Sequence, residues 1–237
     1  MTTHWDMGRV GRSVAAFCCL LIVVGSLLSY EGLRRSENGQ EHLYFPSGRF
    51  LREATVGFRE AAADYLWFRF IQYYGAFEKG DNDLRYFDLL VDAVVRLDPK
   101  FVEAYHFASL VAWSNLGSFP HSIDLLKQGI LHNPDVAKLP FQIGFTYYVF
   151  YKDYPRASFW FETAAKCSDS TDREKRFAAF ARHRAGDERV SLELWKNLLE
   201  STDNPQMIEL STKMIAEISA KLQARPLVGP QAPEVSP

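Results

Sequence analysis

The sequence predicts an all-α fold of stacked helix pairs behind one N-terminal membrane helix, and three observations carry that prediction. Small and apolar residues recur at helical spacing: Ala157, Phe161 and Ala164 stand four and then three apart, so they share one stripe. The pattern also repeats. Asp98-Pro99 and Asn133-Pro134 stop two segments 35 residues apart, and Ser122 and Ala157, small residues at matching places, are again 35 apart. A fixed period of that length means stacked helix pairs. Finally, residues 13–30, SVAAFCCLLIVVGSLLSY, hold no charge over 18 residues.

Taken in order, residues 1–12 form a short tail containing Arg9 and Arg12. As a helix, residues 13–30 would be roughly 27 Å long, close to the hydrocarbon thickness of a bilayer. A cleaved signal peptide is the rival reading, but no small-x-small cleavage site follows Leu27-Leu28-Ser29-Tyr30-Glu31. Cys18 and Cys19 lie early in the run, which disfavours a lipid-modified cysteine. Arg34 and Arg35 beyond the run nearly balance Arg9 and Arg12, so charge separates the two sides weakly. The expectation is a single-span anchor with a short cytoplasmic tail and the body outside the cytoplasm. Residues 31–48 are a polar linker without a sustained period.

The repeat domain is expected over residues 49–224. It opens with a long helical pattern at residues 49–77 that has seven aromatics between Tyr65 and Phe77. Apolar residues occur nearly all round its second half, so it is expected to be covered on more than one side. Asp64 and Arg69 interrupt that surface; they read as solvent-facing or as a structural ion pair rather than as an acid and an anion site. Gly75, Phe87, Val91 and Val94 complete a degenerate first unit. The second unit sets Tyr105, Ala108, Ser109 and Ala112 on its first helix and Ser122, Leu126 and Gly129 on its second.

Residues 139–166 are the best-defined unit. Its first helix carries Ile143, Gly144 and Tyr147, its turn is Lys152-Asp153-Tyr154-Pro155, and its second helix carries Ala157, Phe161 and Ala164. Gly144 and Ala157 let two backbones approach, and Tyr147 and Phe161 fill the space beside them. After a turn at Ser168-Asp169-Ser170-Thr171-Asp172, a fourth unit follows with Ala178 and Ala179, the turn Ala185-Gly186-Asp187, and the stripe Ser191, Trp195 and Leu198. Residues 207–224 make one more amphipathic helix, with Ile208, Met214, Ile215, Ile218 and Leu222 apolar, and read as a solvating cap. Residues 225–237 hold four prolines and are expected to be a disordered tail.

These positions, agreeing in order and spacing, resemble the tetratricopeptide repeat (TPR) over roughly residues 68–204. The resemblance is strongest at Gly144, Tyr147, Ala157, Phe161 and Ala164, whereas Phe87 departs from the family's usual alanine. With the anchor, the whole chain looks like a membrane-anchored bacterial protein of that family. This implies a right-handed α-solenoid of about four helix pairs with a C-terminal capping helix.

Totals exclude several functions. A net charge of -2 gives no global basic field for nucleic acid. The three cysteines, Cys18, Cys19 and Cys167, form neither a disulfide framework nor a metal spacing. No phosphate loop, His-Glu-x-x-His, Cys-x-x-Cys or nucleophile elbow occurs, so neither catalysis nor a cofactor or metal is expected. His121 and His132 read as surface residues, and the carboxylates as parts of solvated helix faces.

In the resembling family the first helices of successive units line a concave groove. Carried over, that implies His106, Leu110 and Trp113 from the second unit, Lys138, Phe141, Phe145 and Tyr148 from the third, and Arg173, Arg176, Phe180 and His183 from the fourth. Such a groove is apolar with a basic end, suited to an apolar segment whose acidic end meets Arg173 and Arg176. Alternatively, Phe141, Phe145 and Tyr148 pack against residues 49–77 and fill the groove from within. The function expected is a non-catalytic, membrane-tethered scaffold that recruits other proteins of an envelope complex, with the inner membrane as its site. The alternative is a permanent accessory subunit of a membrane enzyme or assembly complex, held partly through residues 13–30, with Gly25 and Ser26 as the close-approach point.

Overall fold

Four helix pairs in sequence, closed by a single long helix, make up a TPR-like all-α architecture in the computed structural model, which describes residues 57–224. The pairs are α1 (Arg59–Glu78) with α2 (Phe87–Leu97), α3 (Val102–Ser114) with α4 (Phe119–His132), α5 (Lys138–Thr146) with α6 (Tyr154–Ala165), and α7 (Asp172–Arg184) with α8 (Glu188–Ser201); α9 (Pro205–Ala224) follows. Each helix packs on its neighbour in the chain, and α3 also reaches α5, the first helix of the next pair. Short turns force the antiparallel arrangement. Among the described residues no helix is long and apolar enough to cross a membrane, and the expected anchor, linker and proline-rich tail lie outside them.

Local chemistry sets the helix starts. Ser118 Oγ accepts from His121 N–H at 3.4 Å, with Pro120 in the first turn of α4. Asp153 Oδ1 accepts from Arg156 N–H at 3.0 Å ahead of α6, and Asp187 Oδ1 from Val190 N–H at 3.4 Å ahead of α8. Thr171 opens α7 with a capping box: its backbone N–H and its hydroxyl donate to Glu174 Oε2 at 2.8 Å and 2.7 Å. Polar contacts also tie one unit to the next at the opposite edge. Asn133 Nδ2 donates to the Pro99 carbonyl at 3.3 Å, and Asp169 Oδ1 accepts from Ala137 N–H at 2.7 Å.

The core runs along the seam between first and second helices. Tyr105, Leu126, Leu139 and Ile143 join the second pair to the third; Ala157, Phe161, Ala178 and Ala181 join the third to the fourth; Trp195, Leu198, Met214 and Ile218 join the fourth to α9. Close approach is literal at Gly144, where a Cβ would stand 2.7 Å from Cδ1 of the fully buried Phe161, and at Gly129, where it would stand 2.8 Å from Cγ of Tyr105.

Four details differ from the sequence reading. The first helix of the third pair ends in a π-helical turn, Tyr147–Tyr151, and Lys152 takes φ 53°, so the turn is Lys152-Asp153 and Tyr154-Pro155 already belong to α6. Within the expected helix of residues 49–77, α1 starts at Arg59, and residues 49–56 lie outside the described part. The capping helix starts at Pro205 instead of at residue 207, because a proline at the first helical position loses no hydrogen bond. Among the described residues α1 is covered on one face only: Ala63, Leu66, Phe70 and Tyr73 are buried, while Tyr65 and Phe68 on the other side are each 57% exposed. Asp64 is exposed and Arg69 half-buried, and they do not pair with each other.

Candidate functional site

Tyr148, Arg176, Phe180 and His183, four of the residues the sequence reading placed in a groove, surround a cleft of about 550 Å³ together with Phe177, Arg184, Met214 and Glu217. Tyr148 comes from the π-helical turn after α5. Arg176, Phe177, Phe180, His183 and Arg184 lie on one side of α7, and Met214 and Glu217 come from α9. The floor is aromatic. The Tyr148 ring meets Phe177 edge-on at 6.3 Å and Phe161 at 6.0 Å, and the Phe180 ring stands edge-on to the fully buried Trp195 at 4.8 Å.

Phe141 and Phe145 extend this surface along α5. They stack on each other at 6.4 Å, and Phe141 meets Phe161 at 5.2 Å and Phe177 at 5.3 Å. The aromatics of α1 are engaged one unit earlier: Trp67 lies against Phe101 and Phe107, and Phe70 against Phe87 and Phe107. Phe141, Phe145 and Tyr148 therefore make their aromatic contacts with the third and fourth pairs, so α1 is not what fills the groove. Trp113 is placed elsewhere as well. It stacks on Phe119 at 6.0 Å and on Phe150 at 4.9 Å, beside the turns that join first to second helices. Phe150 reaches it from the π-helical turn. Leu110 is half-buried on α3.

The charges along this face are unequally satisfied. Lys138 Nζ lies 2.7 Å from Glu103 Oε2, an ion pair between the second and third units. Arg173 lies 2.6 Å from Oε1 of the buried Glu174 and stacks its guanidinium 4.4 Å from the Phe141 ring centre. Burial, then the Lys138 charge, push the His106 imidazole below its ordinary value, so it is neutral at pH 7. His183 Nδ1 is 2.6 Å from Glu188 Oε2, and Lys221 reaches the other oxygen of that carboxylate from α9. Burial alone would raise the Glu188 carboxyl; hydrogen bonds from Lys221 and His183 outweigh it and hold the carboxyl below the usual glutamate range. Arg176, stacked 5.4 Å over Phe177, and Arg184 make no ion pair among the described residues. The cleft therefore offers two guanidinium groups without an ion-pair partner among the described residues, together with the Glu217 carboxylate, beside an aromatic floor.

Phe177, Arg184, Met214 and Glu217 were missed in the sequence. Phe177 and Arg184 stand four and eleven residues after Arg173, on the face already chosen, so helical spacing alone could have found them. Met214 and Glu217 were missed because the cap was read only as a solubilising surface. Glu174 was missed as a buried carboxylate although Thr171-x-x-Glu174 is the spacing of a capping box. His121 is half-buried instead of on the surface, edge-on to Phe87 with Nε2 3.1 Å from Asp88 Oδ1, while His132 is exposed.

No protein-family model matches the chain, and no curated protein matches it. Solved structures do. MamA MSR-1 C2 is 18% identical, with a TM-score of 0.44 over 68% of this chain and 87% of that one. MamA 41-end from Desulfovibrio magneticus RS-1 is 16% identical, with a TM-score of 0.40 over 66% and 96%. A thermophilic TPR protein of Thermus thermophilus is 17% identical, with a TM-score of 0.39 over 74% and 95%.

Proposed function

We propose that this chain is a non-catalytic, membrane-tethered interaction scaffold whose concave face receives an apolar segment of another protein with its acidic end toward α9. The observation that carries the reading is the cleft at α7, where Arg176 and Arg184 lack ion-pair partners among the described residues and stand beside Tyr148, Phe177 and Phe180. An aromatic floor gives contact area at low entropic cost, and free guanidinium groups select carboxylates. The uncharged run of residues 13–30 supports a single-span anchor in a bacterial inner membrane, with the body outside the cytoplasm. Confinement to a membrane raises the effective concentration of a co-resident partner, so a shallow cleft suffices.

The test is affinity purification of the full-length chain from membranes in mild detergent, with the co-purifying proteins identified, alongside the double variant Arg176→Glu, Arg184→Glu. The expected result is a set of envelope proteins captured by the natural chain and lost from the variant. Capture that is indifferent to both charge reversals would overturn the proposed site, and fractionation of the full chain away from membranes would overturn the tether.

A further inference from the structure

The two ends of the helix stack are unlike. At the C-terminal end, α9 leaves Glu209, Lys213, Glu217 and Lys221 exposed, and Ile208 is its one large apolar residue exposed above a third. That is a capped end. At the other end, the open face of α1 carries Phe58, Ala61, Tyr65, Phe68, Gln72 and Gly75, spaced alternately three and four apart. Phe58 is 75% exposed, and Tyr65 and Phe68 are 57% exposed each. Gly75 belongs to this face. Glycine within a helix is unfavourable relative to alanine, so a close neighbour usually explains it. None does among the described residues, where a Cβ on Gly75 would meet nothing within 4 Å. The helix keeps room for a contact that the described residues do not make.

We infer that α1 is the interface between two copies of this chain, packed antiparallel about a two-fold axis between Tyr65 and Phe68. In that register Tyr65 lies against Phe68 of the second copy, Ala61 against its Gln72, and Phe58 against its Gly75. Large side chains meet small ones at both ends, and the aromatic pair is repeated at the centre, as a two-fold interface requires. A parallel pairing would set Phe58 on Phe58 and Gly75 on Gly75, crowding one end and leaving the other empty. The three-four spacing is that of a helix packed along another helix. A lipid surface fits less well, since exposed Glu60 and Asp64 border the face and an interfacial helix carries mainly Lys and Arg there. One helix pair buries less than the roughly 800 Å² per partner of a standard interface, so the association is weak in dilute solution and calls for a trapping experiment.

The test uses the full-length chain in mild detergent with Cys18, Cys19 and Cys167 replaced. Chains carrying Ala61→Cys are mixed with chains carrying Gln72→Cys under mild oxidation. The mixture should yield a disulfide-linked dimer in about tenfold excess over either variant alone, and Gly75→Leu in both chains should remove that excess without lowering the melting temperature. Phe68→Lys, at an exposed position, should remove it by an independent route. The pairing is overturned if the mixture gives no excess, if either cysteine variant crosslinks to itself as readily, or if the crosslink survives both Gly75→Leu and Phe68→Lys.

Discussion

Replacing Gly144 by alanine sets two known effects against each other. In an open helix the change stabilises by about 0.8–1.0 kcal/mol, because alanine has the higher helix propensity. Here the new methyl group would lie 2.7, 2.9 and 3.0 Å from Cδ1, Cε1 and Cγ of Phe161. Reaching a carbon–carbon contact of roughly 3.5 Å requires the ring to retreat by about 0.8 Å. Phe161 is fully buried and held by Phe141 and Phe177, each with ring centres 5.2 Å away, so the retreat must displace three aromatic rings. Overpacking costs about 1–3 kcal/mol, and displacing three buried rings puts this site in the upper half of that range, about 2–3 kcal/mol, above the propensity gain. The expected net loss is about 1–2 kcal/mol, or a fall of roughly 2–8 °C in melting temperature for a domain of this size. Urea unfolding of the full chain followed by circular dichroism measures it. A Gly144→Ala chain as stable as the natural one, or more stable, would refute close packing of α5 on α6 as the reason for the glycine.

Glu188→Gln should cost about 1–3 kcal/mol at pH 7, since it removes the carboxylate that His183 and Lys221 share. Because the Glu188 carboxyl is held below its ordinary range in the fold, its contribution is complete above the unfolded glutamate value of about 4.3 and fades as pH falls through the folded value. The variant should thus show a shallower loss of stability with acidification below about pH 5, and an unchanged acid profile would count against the shared carboxylate. Phe145→Glu should abolish partner capture while lowering melting by only a few degrees, since α1 does not close over it; global unfolding would show a sealed interior instead. Arg176→Glu should weaken capture about tenfold and flatten its salt dependence, whereas Lys138→Glu should do less, because Lys138 is already committed to Glu103.

Most of the stack was legible because its determinants are local and repeated. The small residues Gly144, Ala157 and Ala164 and the paired stops at Asp98-Pro99 and Asn133-Pro134 need no long-range knowledge: each says where two backbones touch or a helix ends. The π-helical turn at Tyr147–Tyr151 was not legible. Five consecutive residues, YYVFY, have no periodicity to separate a wide turn from a narrow one, and nothing local in them announces that Phe150 will lie against Trp113 and Phe119 of the preceding unit. For the same reason Trp113, correctly placed on a first helix, could not be assigned to a side. In the candidate site, the face of α7 could be read from spacing, but the contribution of α9 could not. Which side of a terminal helix turns inward depends on Trp195 and Leu198 of α8, against which Met214 and Ile218 settle.

The distribution of charge along the first helices of the units also gives this surface a direction. At the second and third units the cations are spoken for: Lys138 by Glu103, Arg173 by Glu174, and His106 stripped of charge by burial and the neighbouring Lys138. At the fourth unit, Glu188 holds His183 and Lys221, leaving Arg176 and Arg184 free among the described residues. Between them runs the aromatic strip of Phe141, Phe145 and Tyr148. A neutral apolar segment has no reason to prefer one orientation on such a strip, whereas one with a carboxylate at its end does, because only the α7–α9 end can compensate it. The buried Glu188 carboxylate, shared by His183 of α7 and Lys221 of α9, ties both helices that line the cleft to α8 and so fixes where the two arginines stand.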